Sequence, residues 1–193
     1  MVNRYQPDYC GFIIDFPKSH RSQTPDQVRA LVKDLNRDLV TPVGVFVNEP
    51  VEIVAELLCD GTIAIAQLHG SEDEEYIRKL KGLTDKPIIK AFQVKNEETL
   101  ALAAESSADL VLLDQGQGSG ETFDWSILTQ DVAKKAMERD WILAGGLSAS
   151  NIAMAIEKFH PYAVDLSSAV ETDQFKDEEK VKEIIALVRA AKA

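Results

Sequence analysis

Short apolar runs and longer helical stretches alternate along this chain without exception, and that alternation limits the possible folds more than any single motif. The β-rich runs are YCGFIIDF (9–16), TPVGVFV (41–47), IAIAQL (63–68), KPIIKAF (86–92), ADLVLLD (108–114), WILAGG (141–146) and YAVDLSS (162–168). Stretches of helical period follow them at 25–36, 50–58, 73–83, 96–106, 126–137, 149–159 and 177–192. Repeated strand–helix units call for a parallel sheet with right-handed crossovers. The runs are continuously apolar, which means that both faces of the sheet are covered. Helix-start signals agree: Thr24-Pro25 is a cap followed by proline, Ser71 precedes an acidic first turn, and Ser148 or Ser150 can cap the helix at 149–159.

Two architectures satisfy this pattern, an open doubly wound sheet and a (β/α)8 TIM barrel. A doubly wound nucleotide-binding sheet carries a glycine-rich turn after its first strand, and FIIDFPKSHR has none. Here the glycines follow late strands, where barrels hold phosphate. The expectation is therefore an α/β chain forming one barrel domain over residues 1–193, with seven strand–helix units visible where a barrel has eight. A chain of 193 residues is long enough to bury one such core.

The bulk chemistry excludes several partner classes. A net charge of −11 opposes nucleic-acid binding, which needs a basic face. No apolar run approaches a membrane span, and no basic-then-apolar signal opens the chain. Two cysteines, Cys10 and Cys59, suit a reducing cytoplasm, and the three scattered histidines form no legible metal site.

The stretch LLDQGQGSGETFDW (112–125) ends an apolar run in Asp114 and then sets three glycines within five residues. At the C-terminal rim of a barrel, Asp114 would face the active site as a candidate acid. An Asp after a strand more often caps or fixes a loop. AGGLSASN (144–151) puts Gly145 and Gly146 between a strand and a helix, a geometry that admits phosphate but is also an ordinary turn. VDLSSAVET (164–172) repeats it one unit later with Ser167, Ser168 and Ala169, and the pair suggests a shared phosphate pocket. Arg21, in PKSHR, could grip a carboxylate in a forked pair or be a solvated loop residue. His69 reads as a structural hydrogen-bonder, Asp165 as a loop-fixing carboxylate, and Cys10 as a small buried apolar residue.

Seven stretches, GFIIDFPKSHR, GVFVNEP, AIAQLHG, KAFQV, LLDQGQGSGETFDW, ILAGGLSASN and AVDLSSAVE, together resemble the phosphoribosylanthranilate isomerase family of tryptophan biosynthesis, from about residue 7 to the C-terminus. The resemblance implies a (β/α)8 barrel without metal or organic cofactor. It also implies an Amadori rearrangement that turns N-(5′-phosphoribosyl)anthranilate, a small sugar phosphate, into 1-(2-carboxyphenylamino)-1-deoxyribulose 5-phosphate. Carried over by motif, Asp114 would be the general acid and Arg21 the holder of the anthranilate carboxylate. Gly118, Gly120, Gly145, Gly146, Ser167, Ser168 and Ala169 would bind the phosphate. Where the family has Ser-Ser-Gly this chain has Ser-Ser-Ala, so Ala169 allows fewer backbone conformations.

Family members open with a strand bearing Cys-Gly, whose cysteine is the general base, and MVNRYQPDY resembles instead the end of the helix that follows it. Cys10 falls in the next strand and does not inherit that role. The expectation is a barrel lacking its first β–α unit, through a start at an internal methionine or a naturally short product. Such a chain would have little isomerase activity, and would be unstable or pair with a second copy through the gap. Two other readings remain: a catalytically silent sugar-phosphate binder, and another sugar-phosphate barrel enzyme such as indole-3-glycerol-phosphate synthase.

Overall fold

The computed structural model describes residues 1–114 and 125–191. All seven expected strands form, and they stand in the sheet in sequence order, β1 to β7. The chain divides into two compact units, one of Val2–Ala91 with Ser106–Leu110 and one of Phe92–Glu105 with Val111–Ala193.

In the first unit the elements are α1 (Val2–Tyr5), β1 (Tyr9–Ile13), α2 (Pro25–Lys33), β2 (Thr41–Phe46), α3 (Val51–Cys59), β3 (Ile65–Leu68), α4 (Glu74–Lys81) and β4 (Ile88–Gln93), which runs on into the second unit. The pairs β1–β2, β2–β3 and β3–β4 are parallel, with Ile13 opposite Val45, Phe46 opposite Leu68 and Leu68 opposite Lys90. Phe46, Leu58, Leu68, Leu80 and Ile88 are fully buried between these strands and α2–α4. Removing such side chains from water is the main favourable term in folding.

In the second unit come α5 (Glu97–Glu105), β5 (Leu110–Asp114), a 3₁₀ turn (Trp125–Thr129), α6 (Asp131–Met137), β6 (Trp141–Ala144), α7 (Ile152–Phe159), β7 (Ala163–Asp165), a 3₁₀ turn (Ser168–Val170), the hairpin β8 (Glu171–Thr172) and β9 (Phe175–Lys176), and α8 (Glu178–Ala191). The β5–β6 and β6–β7 pairs are parallel, while β8 and β9 are antiparallel. Val111 and Leu113 of β5 and Trp141 and Leu143 of β6 pack with α5, α6 and α7. Among the described residues no helix is long and apolar enough to cross a membrane.

Several local expectations shift. Thr24 caps α2 as expected, and Gln27 completes a capping box with it, each side chain bonding the other's backbone N–H. Asp73, not Ser71, caps α4, accepting from the Tyr76 N–H at 2.9 Å, because Ser71 is turned toward Asn48. Neither serine caps α7 through its side chain; the N-cap is Asn151, which reaches back to the preceding loop instead. The helix expected over 126–137 breaks at Gln130, whose extended backbone separates the 3₁₀ turn from α6. Cys10 is half-buried rather than buried, because β1 ends the sheet and is only partly covered.

Candidate active site

The second unit gathers most of the candidate residues. In its parallel ladder Asp114 stands opposite Ala144, and Ala144 opposite Asp165. Neighbouring strands lie about 4.8 Å apart. Asp114 therefore ends β5 one strand away from the loop that begins at Gly145 and two from the loop that begins at Leu166. Side chains alternate between the faces of a strand. Because Val111, Leu113, Trp141 and Leu143 face the helices, Asp114 and Ala144 project from the opposite face. Asp165 shares their face, since Val164 packs on the helix side. Two half-buried carboxylates thus flank Ala144 at the C-terminal ends of the strands. The Asp114 carbonyl accepts from the Val94 N–H at 2.7 Å, which fixes the strand end.

Gly145 and Gly146 have φ of 80° and 65°, left-handed values that side chains with a Cβ disfavour. The amide of Asn151 locks the loop they open. Its Nδ2 donates to Gly146 O at 2.9 Å, and its Oδ1 accepts from the Ser148 N–H at 2.8 Å. Ser167 and Ser168 are exposed at the entry to the second 3₁₀ turn. Ala169 lies inside that turn and is not among the residues with positive φ, so alanine sits there without strain. Gly118 and Gly120 lie outside the described residues.

Arg21 belongs to the first unit. It is half-buried in the loop after β1, where its N–H donates to Ser19 Oγ at 3.2 Å. The loop closes on itself: Phe16 N–H donates to Ser22 Oγ at 2.8 Å, and Asp15 N–H to Gln23 O at 3.0 Å. Cys10 is the second residue of β1 and shares the helix-packed face of Phe12 and Ile14. His69 behaves as a structural residue, its N–H bonding Phe46 O at 2.7 Å and its Nδ1 lying 3.2 Å from Gln67 Nε2.

Sequence reading missed a buried ion pair at the same ends of β2–β4. Lys90 Nζ donates to Glu72 Oε2 at 2.9 Å and to Gly70 O at 2.7 Å, and both side chains are nearly inaccessible. The other oxygen, Glu72 Oε1, accepts from the Asn48 N–H. The pair ties the loops after β2 and β3 to β4, and it lies on the helix-packed face, since Lys90 follows Ile88 by two. A lysine inside the run IIKAF was the available signal, for a buried ammonium needs a partner. Next to it, burial and the carboxylate of Asp15 push Glu49 above the usual carboxylate range. Burial, together with Glu72, Glu49 and Glu52, pushes the Tyr76 phenol well upward. The second missed group is Lys176, which grips the Ser167 carbonyl at 2.7 Å.

A family model described as N-(5′-phosphoribosyl)anthranilate (PRA) isomerase matches residues 2–186. The chain is 44% identical to the N-(5′-phosphoribosyl)anthranilate isomerase of Acetivibrio thermocellus, over 98% of this chain and 89% of that one. It superposes on the phosphoribosyl anthranilate isomerase of Thermotoga maritima with a TM-score of 0.81 at 34% identity, covering 97% of this chain and 90% of that one. A phosphoribosyl anthranilate isomerase in complex with reduced 1-(o-carboxyphenylamino)-1-deoxyribulose 5-phosphate superposes with a TM-score of 0.80 at 32% identity, covering 97% and 90%. With nearly the whole sequence matched by the model and by close relatives, this chain belongs to the N-(5′-phosphoribosyl)anthranilate isomerase family.

Proposed function

We propose that this chain is a phosphoribosylanthranilate isomerase, an intramolecular oxidoreductase of the aldose–ketose type in L-tryptophan biosynthesis. It would convert N-(5′-phosphoribosyl)anthranilate into 1-(2-carboxyphenylamino)-1-deoxyribulose 5-phosphate. The match across residues 2–186 carries this reading. The register that lines up Asp114, Ala144 and Asp165 supports it, as does the relative bound to a reduced form of the product.

In this reading Asp114 gives a proton to the ribose ring oxygen as the C1–O bond breaks, leaving a protonated Schiff base between C1 and the anthranilate nitrogen. A base then removes the proton from C2. The freed electron pair forms the C1–C2 double bond of an enolamine and neutralises the nitrogen, and tautomerisation gives the C2 ketone. Each positioned proton transfer contributes roughly 10²–10⁴ in rate. The phosphate end is held by backbone at Gly118, Gly120, Gly145, Gly146 and Ser167–Ala169, and the carboxylate end by the forked guanidinium of Arg21. Gripping both ends supplies orientation. The oxidation at C2 and the reduction at C1 balance within one molecule, so this reading calls for no redox cofactor.

The base is not assigned to any of residues 1–193. In the family it is the cysteine of a Cys-Gly strand, and the seven strands here are read as the second to eighth of a (β/α)8 barrel forming one domain. The place of β1 at the end of the strand order supports that count. It also suits pairing with a second copy. An enzyme based on a free lysine at the strand ends, as in indole-3-glycerol-phosphate synthase, finds no support in Lys90, which is buried and ion-paired on the helix side. The reading implies a cytoplasmic enzyme that binds neither nucleic acid nor membrane. The charge of −11 and two cysteines outside any disulfide support that.

The test compares residues 1–193 with the same chain carrying a Cys-Gly first unit. Residues 1–193 should bind the reduced product analogue but turn over poorly, and the extended chain should be active. In the extended chain Asp114→Asn should lower kcat by roughly 10²–10⁴ and spare analogue binding. Near-normal turnover by residues 1–193 would refute the assignment of the base. A variant that kept most of its rate would refute that of the acid.

A further inference from the structure

The turn that contains Ser167–Ala169 is held in place by the segment that follows it. Lys176 Nζ donates to Ser167 O at 2.7 Å and lies 2.8 Å from Glu171 Oε1, whose side chain is 8% exposed. Lys180 Nζ donates to Glu171 O at 2.7 Å, and the Asp177 N–H to Val170 O at 2.9 Å. Asp173 and Gln174, both left-handed with φ of 49° and 69°, turn the hairpin that brings Lys176 back over Ser167. In a trans peptide the C=O and the following N–H point in opposite directions within one plane. No cis peptide occurs among the described residues. Whatever fixes the Ser167 carbonyl therefore fixes the direction of the Ser168 N–H.

We infer that Lys176 is a positioning residue for the phosphate end of the substrate: it orients the Ser167–Ser168 peptide so that its N–H meets the phosphate, without touching the phosphate itself. The inference rests on the phosphate role given to Ser167–Ala169 above. Lys180 is the matched control. It carries the same charge in the same segment and also bonds a backbone carbonyl, but that carbonyl is Glu171's.

The experiment titrates inorganic phosphate into the full chain by calorimetry, and measures kcat and KM wherever turnover is detectable. Lys176→Met should weaken phosphate binding, and raise KM, by about tenfold with kcat unchanged. Lys176→Arg should recover most of the loss, while Lys180→Met should stay within about twofold of the parent. Phosphate affinity unchanged in Lys176→Met, or lost equally in Lys180→Met, overturns the inference. If the Met variant does not fold, Lys176→Gln is judged by the same thresholds. A parent chain that binds phosphate but does not isomerise even when it carries a Cys-Gly first unit removes the isomerase reading and leaves this inference to be decided by the binding data. A parent that binds no phosphate removes the cradle, and the inference with it.

Discussion

The phenol of Tyr76 shows how one side chain records its surroundings. Its hydroxyl donates to Glu49 O at 2.8 Å, and the ring sits over a corner crowded with carboxylates. Burial first, and then Glu72, Glu49 and Glu52, make the phenolate unfavourable in the folded chain and raise its pKa. In the unfolded chain a tyrosine ionises near 10. Above about pH 10 the unfolded state therefore loses a proton that the folded state keeps. The stability from Tyr76 is complete below that pH and drains away as pH rises toward the folded pKa. Tyr76→Phe forfeits the bond to Glu49 O, which costs about 1 kcal/mol at neutral pH. It also removes this alkaline loss. Urea midpoints at pH 8 and pH 11 should show the variant's deficit shrinking or reversing at the higher pH. A deficit of equal size at both values would mean that Tyr76 ionises normally.

At the scale of elements, the capping of α4 separates what the sequence could tell from what only packing decides. The sequence pattern points to Ser71 as the start signal, since it precedes an acidic first turn. Ser71 is drawn to Asn48, whose Oδ1 accepts from both its N–H and its Oγ, which leaves Asp73 to accept from Tyr76. Asp73→Ala should then cost about 1 kcal/mol and lower Tm by about 2–4 °C in a chain of this size, more than Ser71→Ala does. Calorimetry giving the reverse order would return the cap to Ser71. The strands were legible because runs such as LVLL and WILA are apolar throughout, as strands covered on both faces are. Their ends were not, because the ladder stops where Gly145 turns left-handed and where Ser168 enters a 3₁₀ turn. Asp114 was legible as a carboxylate closing an apolar run. The grip of Lys90 on Glu72, 18 residues away, and of Lys176 on Ser167, 9 away, depends on loop paths that no period in the sequence encodes.

At the scale of the whole molecule the outer side of β1 decides how the chain behaves in solution. The Thr41 N–H bonds Asp8 O and the Ile14 N–H bonds Val45 O, so even-numbered residues of β1 direct their backbone groups toward β2. Gly11 and Ile13 then direct theirs outward, and past the strand the Gln23 N–H takes up the carbonyl of Ile13 at 2.9 Å. A backbone row of this kind is a template for another strand, and no charged residue or proline within Tyr9–Ile13 guards it. Residues 1–193 should therefore self-associate through β1 at micromolar concentration. Gly11→Pro tests this directly. Proline removes the outward N–H and leaves the β1–β2 ladder intact, and a Cβ at Gly11 meets only Val45 Cγ2, at an ordinary 3.6 Å. Light scattering after size exclusion should find the parent associated and the variant monomeric, with little change in Tm. A monodisperse monomeric parent would mean that the edge is covered from within the chain. A variant that stayed associated would mean that the contact does not depend on the Gly11 N–H.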